Sequence, residues 1–98
     1  MTADTDIVRE ETDGRGRYLL RIDGALAELT YSRAARDKIV ATHTGVPPAM
    51  RNRGIALRLV ERLVADARAE GLRIVPACSY VALQRRRHPD WADLFVEA

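Results

Sequence analysis

The sequence predicts an α/β domain: a mostly antiparallel sheet with one parallel βαβ step and two helices. Three observations predict it. Three consecutive segments between residues 15 and 46 alternate in polarity or are rich in β-branched residues, with short polar turns between them. A long amphipathic stretch over 54–70 separates the last of these from a short apolar segment at 72–75. The chain has 98 residues, enough for one modest core and a single domain.

Residues 1–14 carry Asp4, Asp6, Glu10, Glu11 and Asp13 against Arg9 alone, a net charge of −4, with no periodicity. They read as a mobile acidic tail, with at most a strand start near Ile7 and Val8, ahead of a domain over 15–98. Tyr18, Leu20 and Ile22 alternate with Leu19 and Arg21, a strand period. Asp23-Gly24 is a type I′ hairpin signal. A second strand covers 26–31, with Ala27, Leu29 and Tyr31 on one face and Leu26, Glu28 and Thr30 on the other. A polar turn over 32–37 leads to a third strand at 38–46, and Pro47-Pro48 stops it because proline has no N–H for the ladder.

The helix starts near Gly54. Ala56, Val60, Leu63, Val64 and Ala67 make its apolar stripe, and Arg58, Glu61, Arg62, Asp66 and Glu70 its solvated face. Gly71 suits the left-handed residue that ends a helix. A strand–helix–strand crossover of this kind makes the strands at 38–46 and 72–75 parallel. Ser79 is placed to cap a second helix through Val81, Ala82 and Leu83, which Pro89 ends. Trp91, Leu94 and Phe95 form an apolar tail expected to dock on the core.

The formal net charge is +2 and the pI about 9.1, but residues 15–98 alone carry +6. All but one of the basic side chains are arginine, the exception being Lys38. Arginine's planar fork suits phosphate, so the partner is expected to be anionic: a nucleic acid or a small molecule with several phosphates. The five aromatic residues follow no exposed strand pattern, which disfavours nucleic acid. Cys78 is the single cysteine and His43 and His88 lie far apart in sequence, so neither an internal disulfide nor a metal site is expected. Apolar runs reach only four residues, far below a membrane span. The start, Met-Thr-Ala-Asp-Thr-Asp, has neither the basic nor the apolar region of a secretory signal, and a cytoplasmic location is expected.

The segment from Val46 to Ala56, Val-Pro-Pro-Ala-Met-Arg-Asn-Arg-Gly-Ile-Ala, lies between a strand end and a helix start. First-turn amides of a helix have no intrahelical partner, and the helix dipole adds partial positive charge there. Gly54 lets a ligand approach the backbone, and Arg51 and Arg53 add two cations. The combination is a pyrophosphate cradle. Neither Gly-Lys-Ser/Thr nor Gly-x-Gly-x-x-Gly is present, so it is neither a Walker loop nor a dinucleotide fingerprint.

Arg51-x-x-Gly54-x-Ala56 resembles the acetyl-CoA motif of the Gcn5-related N-acetyltransferases, Arg/Gln-x-x-Gly-x-Gly/Ala. His43-Thr44-Gly45-Val46-Pro47-Pro48, Ala67-Arg68, the run from Val75 to Val81, and Arg87-His88-Pro89 follow in an order similar to the short YjdJ-like branch of that family, over about residues 15–96. The resemblance implies a truncated acetyltransferase core without the N-terminal strand and helices of fuller members. It implies acetyl-CoA as cosubstrate, with backbone groups of Thr44 and Val46 along the pantetheine arm. Amides of Arg51, Asn52, Arg53, Gly54, Ile55 and Ala56 would hold the pyrophosphate, and the two parallel strands would splay to admit the thioester. Asn52 departs from the pattern, which more often has glycine there, and a small effect is expected.

Two catalytic candidates stand out. Cys78 follows the last strand and precedes a helix start, where the dipole favours an anionic sulfur; in the resembling branch it would be a nucleophile or a base. His43, just before the loop, would be a general base, on the opposite strand face from Thr44. Glu28, Tyr80 and the basic run Arg85-Arg86-Arg87 are weaker candidates, read first as a wet-face strand residue, a helix residue and a solvated helix end. The function so implied is acetyl-CoA-dependent N-acetylation of an amine, on a small molecule or a protein lysine. The alternative is a coenzyme A-binding module with little or no catalysis.

Overall fold

The computed structural model describes residues 6–97. Two Asp-Gly pairs set its first hairpins. Asp13 (φ 54°) and Gly14 (φ 77°) join β1, Val8–Thr12, to β2, Arg15–Ile22. Asp23 (φ 50°) and Gly24 (φ 82°) join β2 to β3, Ala25–Ala35. Two successive positive φ angles are what a type I′ turn requires. After a tight turn comes β4, Lys38–Gly45, and after the long helix comes β5, Arg73–Pro76. The sheet order is β1-β2-β3-β4-β5; the first four strands are antiparallel and β5 runs parallel to β4, as the crossover requires.

The start of the chain differs from the sequence expectation. Residues 1–5 lie outside the described residues, but 8–12 form a strand in full register with β2, from Val8 opposite Leu19 to Thr12 opposite Arg15. Hydropathy missed this strand because ions, not apolar contacts, hold it. Arg9 pairs with Glu70 and Asp66 of the long helix, and its Nε donates to the Tyr31 hydroxyl at 3.1 Å. Glu11 accepts from Tyr31 at 2.6 Å and from Arg33 at 3.0 Å. The Asp13-Gly14 pair carried the same turn signal as Asp23-Gly24. β3 also runs on to Ala35, so the polar turn shrinks to residues 36–37.

α1, Ile55–Glu70, packs on β2 and β3. Val60, Leu63, Val64 and Ala67 are buried as the stripe predicts, joined by Ile55 and Leu59, while Ala56 is only half-buried. They meet Tyr18, Leu20, Ala27, Leu29 and Tyr31 from the sheet in one core. Asp66 is not on a solvated face. It accepts from Tyr18 at 2.9 Å and from Arg9 at 3.3 Å. Burial first, and then the bond to Asp66, push the Tyr18 hydroxyl pKa up, so it remains a donor. Gly71 (φ 69°) ends α1 with its N–H on the Ala67 carbonyl.

α2 covers Ser79–Arg87; its cap position is Cys78 rather than Ser79, with no side-chain cap bond. A 3-10 segment, Pro89–Leu94, then buries Trp91 and Leu94. Phe95 bridges to Ile74, and the Val96 N–H donates to the Ile74 carbonyl at 2.9 Å, covering the outer edge of β5. The apolar tail thus docks as expected. His88 stacks on Trp91 at 3.9 Å and bonds the Gln84 carbonyl through Nδ1, a structural position. Among the described residues no helix is long and apolar enough to cross a membrane.

Candidate functional site

Between β4 and α1 the chain turns sharply. Pro48–Met50 forms one 3-10 turn that buries Met50 in the core. The Arg51 Nε donates to the Val46 carbonyl at 3.2 Å and ties the loop back to its start. Asn52 (φ 63°) and Gly54 (φ 71°) are both left-handed. Asparagine tolerates this region better than most residues, which accounts for Asn52 where the motif favours glycine. Gly54 is the cap residue of α1, which has no side-chain cap bond and no acidic residue in its first turn. A Cβ at Gly54 would project into open space. Gly54 also lines a cavity of about 340 Å³, together with Val46, Met50, Arg51, Asn52, Ile55, Ala56 and Tyr80. The loop residues singled out by sequence, apart from Thr44 and Arg53, therefore wall one cavity.

Beside it the sheet opens. β4 and β5 stay paired from Lys38–Arg73 to Ala41–Pro76, after which β4 continues to Gly45. Proline has no N–H to extend the ladder, and Ala77 turns back to bond the Val75 carbonyl at 3.0 Å. The Cys78 N–H on the Ala41 carbonyl, 2.8 Å, is the last backbone hydrogen bond between the two segments among the described residues. The parallel pairing thus ends at Ala41 and Pro76, where the resemblance places the splay.

A β-bulge lies at the same level. Thr30 is opposite His43 and Tyr31 is opposite Ala41, so Thr42 is an extra residue on β4. The Thr42 hydroxyl lies 2.8 Å from that of Thr30, which puts Thr42 and His43 on the open face, away from α1. Thr44, opposite the buried Leu29, faces the helix side. Its hydroxyl is 3.4 Å from the Cys78 sulfur, which is half-buried and unbridged. The two catalytic candidates therefore flank the splay from different sides: Cys78 with Thr44 on the helix side, and exposed His43 on the open face. His43 folds back along β4, its Nε2 2.9 Å from where a Cβ at residue 45 would sit, so Gly45 makes room for the ring. Glu28 is opposite Gly45 on that open face.

Tyr80, in the first turn of α2, reaches the loop cavity, which strand and helix periods could not show. Burial is the main cause that raises its pKa, so it carries its proton at neutral pH. Met50 also lines the cavity and was missed; its only sequence signal is an apolar residue amid a polar turn. Arg85 lies over the Phe95 ring at 5.9 Å, so part of the basic run packs on the tail. Among the described residues no group of three or more His, Cys, Asp or Glu could hold a metal ion.

A model of the GCN5-related N-acetyltransferase family matches residues 17–94. The chain is similar in fold to the solution structure of a GCN5-like protein from Staphylococcus aureus, with a TM-score of 0.68 at 22% identity, over 96% of this chain and 92% of that one. No curated protein sequence matches it significantly.

Proposed function

This chain belongs to the GCN5-related N-acetyltransferase family, and we propose that it is an acetyl-CoA-dependent N-acetyltransferase acting on an amine. One observation carries the reading: the cavity at the uncapped α1 N-terminus, beside the gap between β4 and β5. Its residues suit a coenzyme A pyrophosphate. The Arg51 N–H is taken by the Pro48 carbonyl at 3.2 Å, so the amides from Asn52 to Ala56 meet the phosphate oxygens with the dipole behind them, Gly54 leaves the approach clear, and the Arg51 and Arg53 side chains supply positive charge. Backbone groups of Thr44 and Val46 run along the pantetheine arm, and the thioester enters the gap. The cosubstrate supplies an acyl group activated by a thiol leaving group.

The protein's part is placement and proton management. The amine nitrogen bonds to the thioester carbonyl carbon, and the carbon–sulfur bond breaks with its electron pair going to sulfur. His43 accepts the proton the amine loses, and Tyr80 holds one that the departing sulfur can take. Cys78, bonded to Thr44, forms the helix-side wall of the gap and is the candidate for a covalent acyl stop.

The separation of His43 from Cys78 favours a second reading, a coenzyme A-binding module with little catalysis, because no nucleophile–base pair is assembled. Melting in the presence of coenzyme A tests the shared premise. A ligand bound by the folded state alone at 100 times its Kd stabilises by about 2.7 kcal/mol. Arg51→Glu with Arg53→Glu removes that stabilisation while the free protein still melts cooperatively. Absence of any stabilisation in the unaltered protein refutes both readings. Release of coenzyme A thiol with amines then separates enzyme from binder.

A further inference from the structure

The open face of the sheet carries a groove of about 610 Å³, within the range of small-molecule sites. Thr12, Arg15, Arg17, Thr30, Ser32 and Thr42 line it, with Glu10 at its β1 side. Strand register explains why these residues meet. Glu10, Arg17, Thr30 and His43 are successive partners across β1, β2, β3 and β4, one straight row. Thr12, Arg15, Ser32 and Val40 form the next row. The bulge turns both Thr42 and His43 onto this face, so the row through Arg17 and Thr30 at the groove continues to His43.

The charges in the groove do not cancel. Arg17 is taken by Glu10, Nε to Oε1 at 3.0 Å. The Arg15 side chain makes no hydrogen bond or ion pair among the described residues. The remaining lining is hydroxyl-rich, and Thr30 and Thr42 already bond each other. The groove therefore presents one unspent guanidinium and several neutral donors, a surface that attracts an anion and repels a polycation. His43 lies two strands and one row from Arg15, roughly 12 Å between backbones at ordinary strand spacing and rise.

We propose that this groove is the acceptor subsite and that the acceptor is a small amine carrying an anionic group, carboxylate or phosphate. Arg15 holds the anionic end, and the amine reaches His43 at the β4 bulge. This rests on the acetyl-transfer reading above. It excludes polyamines and lysines in basic tails as favoured acceptors.

The test is coenzyme A thiol release from acetyl-CoA with matched amines. β-Alanine, 4-aminobutyrate, 6-aminohexanoate and O-phosphoethanolamine are each set against a neutral alkylamine of the same length, with a diamine as the cationic arm. Anionic amines are expected to give the higher kcat/KM, and the carboxylate and phosphate members show which head group is used. Arg15→Gln should lower kcat/KM for them by roughly tenfold or more, mainly through KM, as expected for loss of a charge-assisted hydrogen bond. Neutral amines and stabilisation by coenzyme A should be unchanged. Arg15→Glu should move the preference to the diamine. Equal or better turnover of neutral or cationic amines, indifference to Arg15, or coenzyme A binding with no turnover of any anionic amine overturns the proposal. Failure of the unaltered protein to bind coenzyme A instead refutes the acetyl-transfer reading beneath it.

Discussion

Adding one methyl group at Gly54 separates the cost of backbone strain from the loss of a ligand contact, because Gly71 provides a matched control. The two glycines sit at opposite ends of α1, with φ of 71° and 69°. A Cβ at either one meets nothing within 4 Å, so neither substitution creates a clash in the free protein. Alanine in the left-handed region costs on the order of 1–2 kcal/mol at each site. For a domain of this size each kcal/mol lowers the melting midpoint by about 4–8 °C, so Gly54→Ala and Gly71→Ala should melt at similar reduced temperatures. Their response to coenzyme A should differ. Gly54 lines the cavity where phosphate oxygens would approach the α1 amides, and Gly71 does not. Loss of one good contact of about 1.4 kcal/mol is a tenfold weaker Kd. Calorimetric titration of coenzyme A into both variants reads the difference directly. Equal affinity in the two variants would refute the cradle as the binding site, however tightly the unaltered protein binds.

Two further predictions follow from other parts of the molecule. If Cys78 takes the acetyl group, protein incubated with acetyl-CoA gains one acetyl mass that Cys78→Ser lacks; full turnover by that variant with no adduct on the parent leaves direct transfer. Hydrogen bonds from Arg33, and next from Tyr31, hold the Glu11 carboxyl at a pKa of about 2 against an ordinary 4.5. Its folded pKa is depressed, so its stabilisation is complete above 4.5 and fades as pH falls towards 2. Denaturant titrations should therefore find Glu11→Gln less stable than the parent at neutral pH, with the gap closing in that acidic window; a gap independent of pH would show that Glu11 acts by shape alone.

How much of this was legible depended on the range of the forces involved. The Asp23-Gly24 turn, the apolar stripe through Val60, Leu63, Val64 and Ala67, and the glycines flanking α1 are local. Backbone preference and side-chain period fix them within a few residues, and a right-handed crossover then makes β5 parallel to β4. The loop from Val46 to Ala56 was legible for the same reason, since a helix start after a strand end exposes amides whatever lies elsewhere.

Tertiary packing decided the rest. β1 is a strand because Arg9 meets Glu70 and Asp66, 61 and 57 residues away in sequence. His43 and Thr42 share the open face because an unpaired residue on β4 shifts the register against β3, and Tyr80 reaches the cavity only because α2 folds back towards the loop. Local sequence determined the turns, the helices and the exposed amides at the start of α1. Long-range register and ion pairing decided which side chains face the gap between β4 and β5, because such contacts depend on residues that only the folded chain brings together.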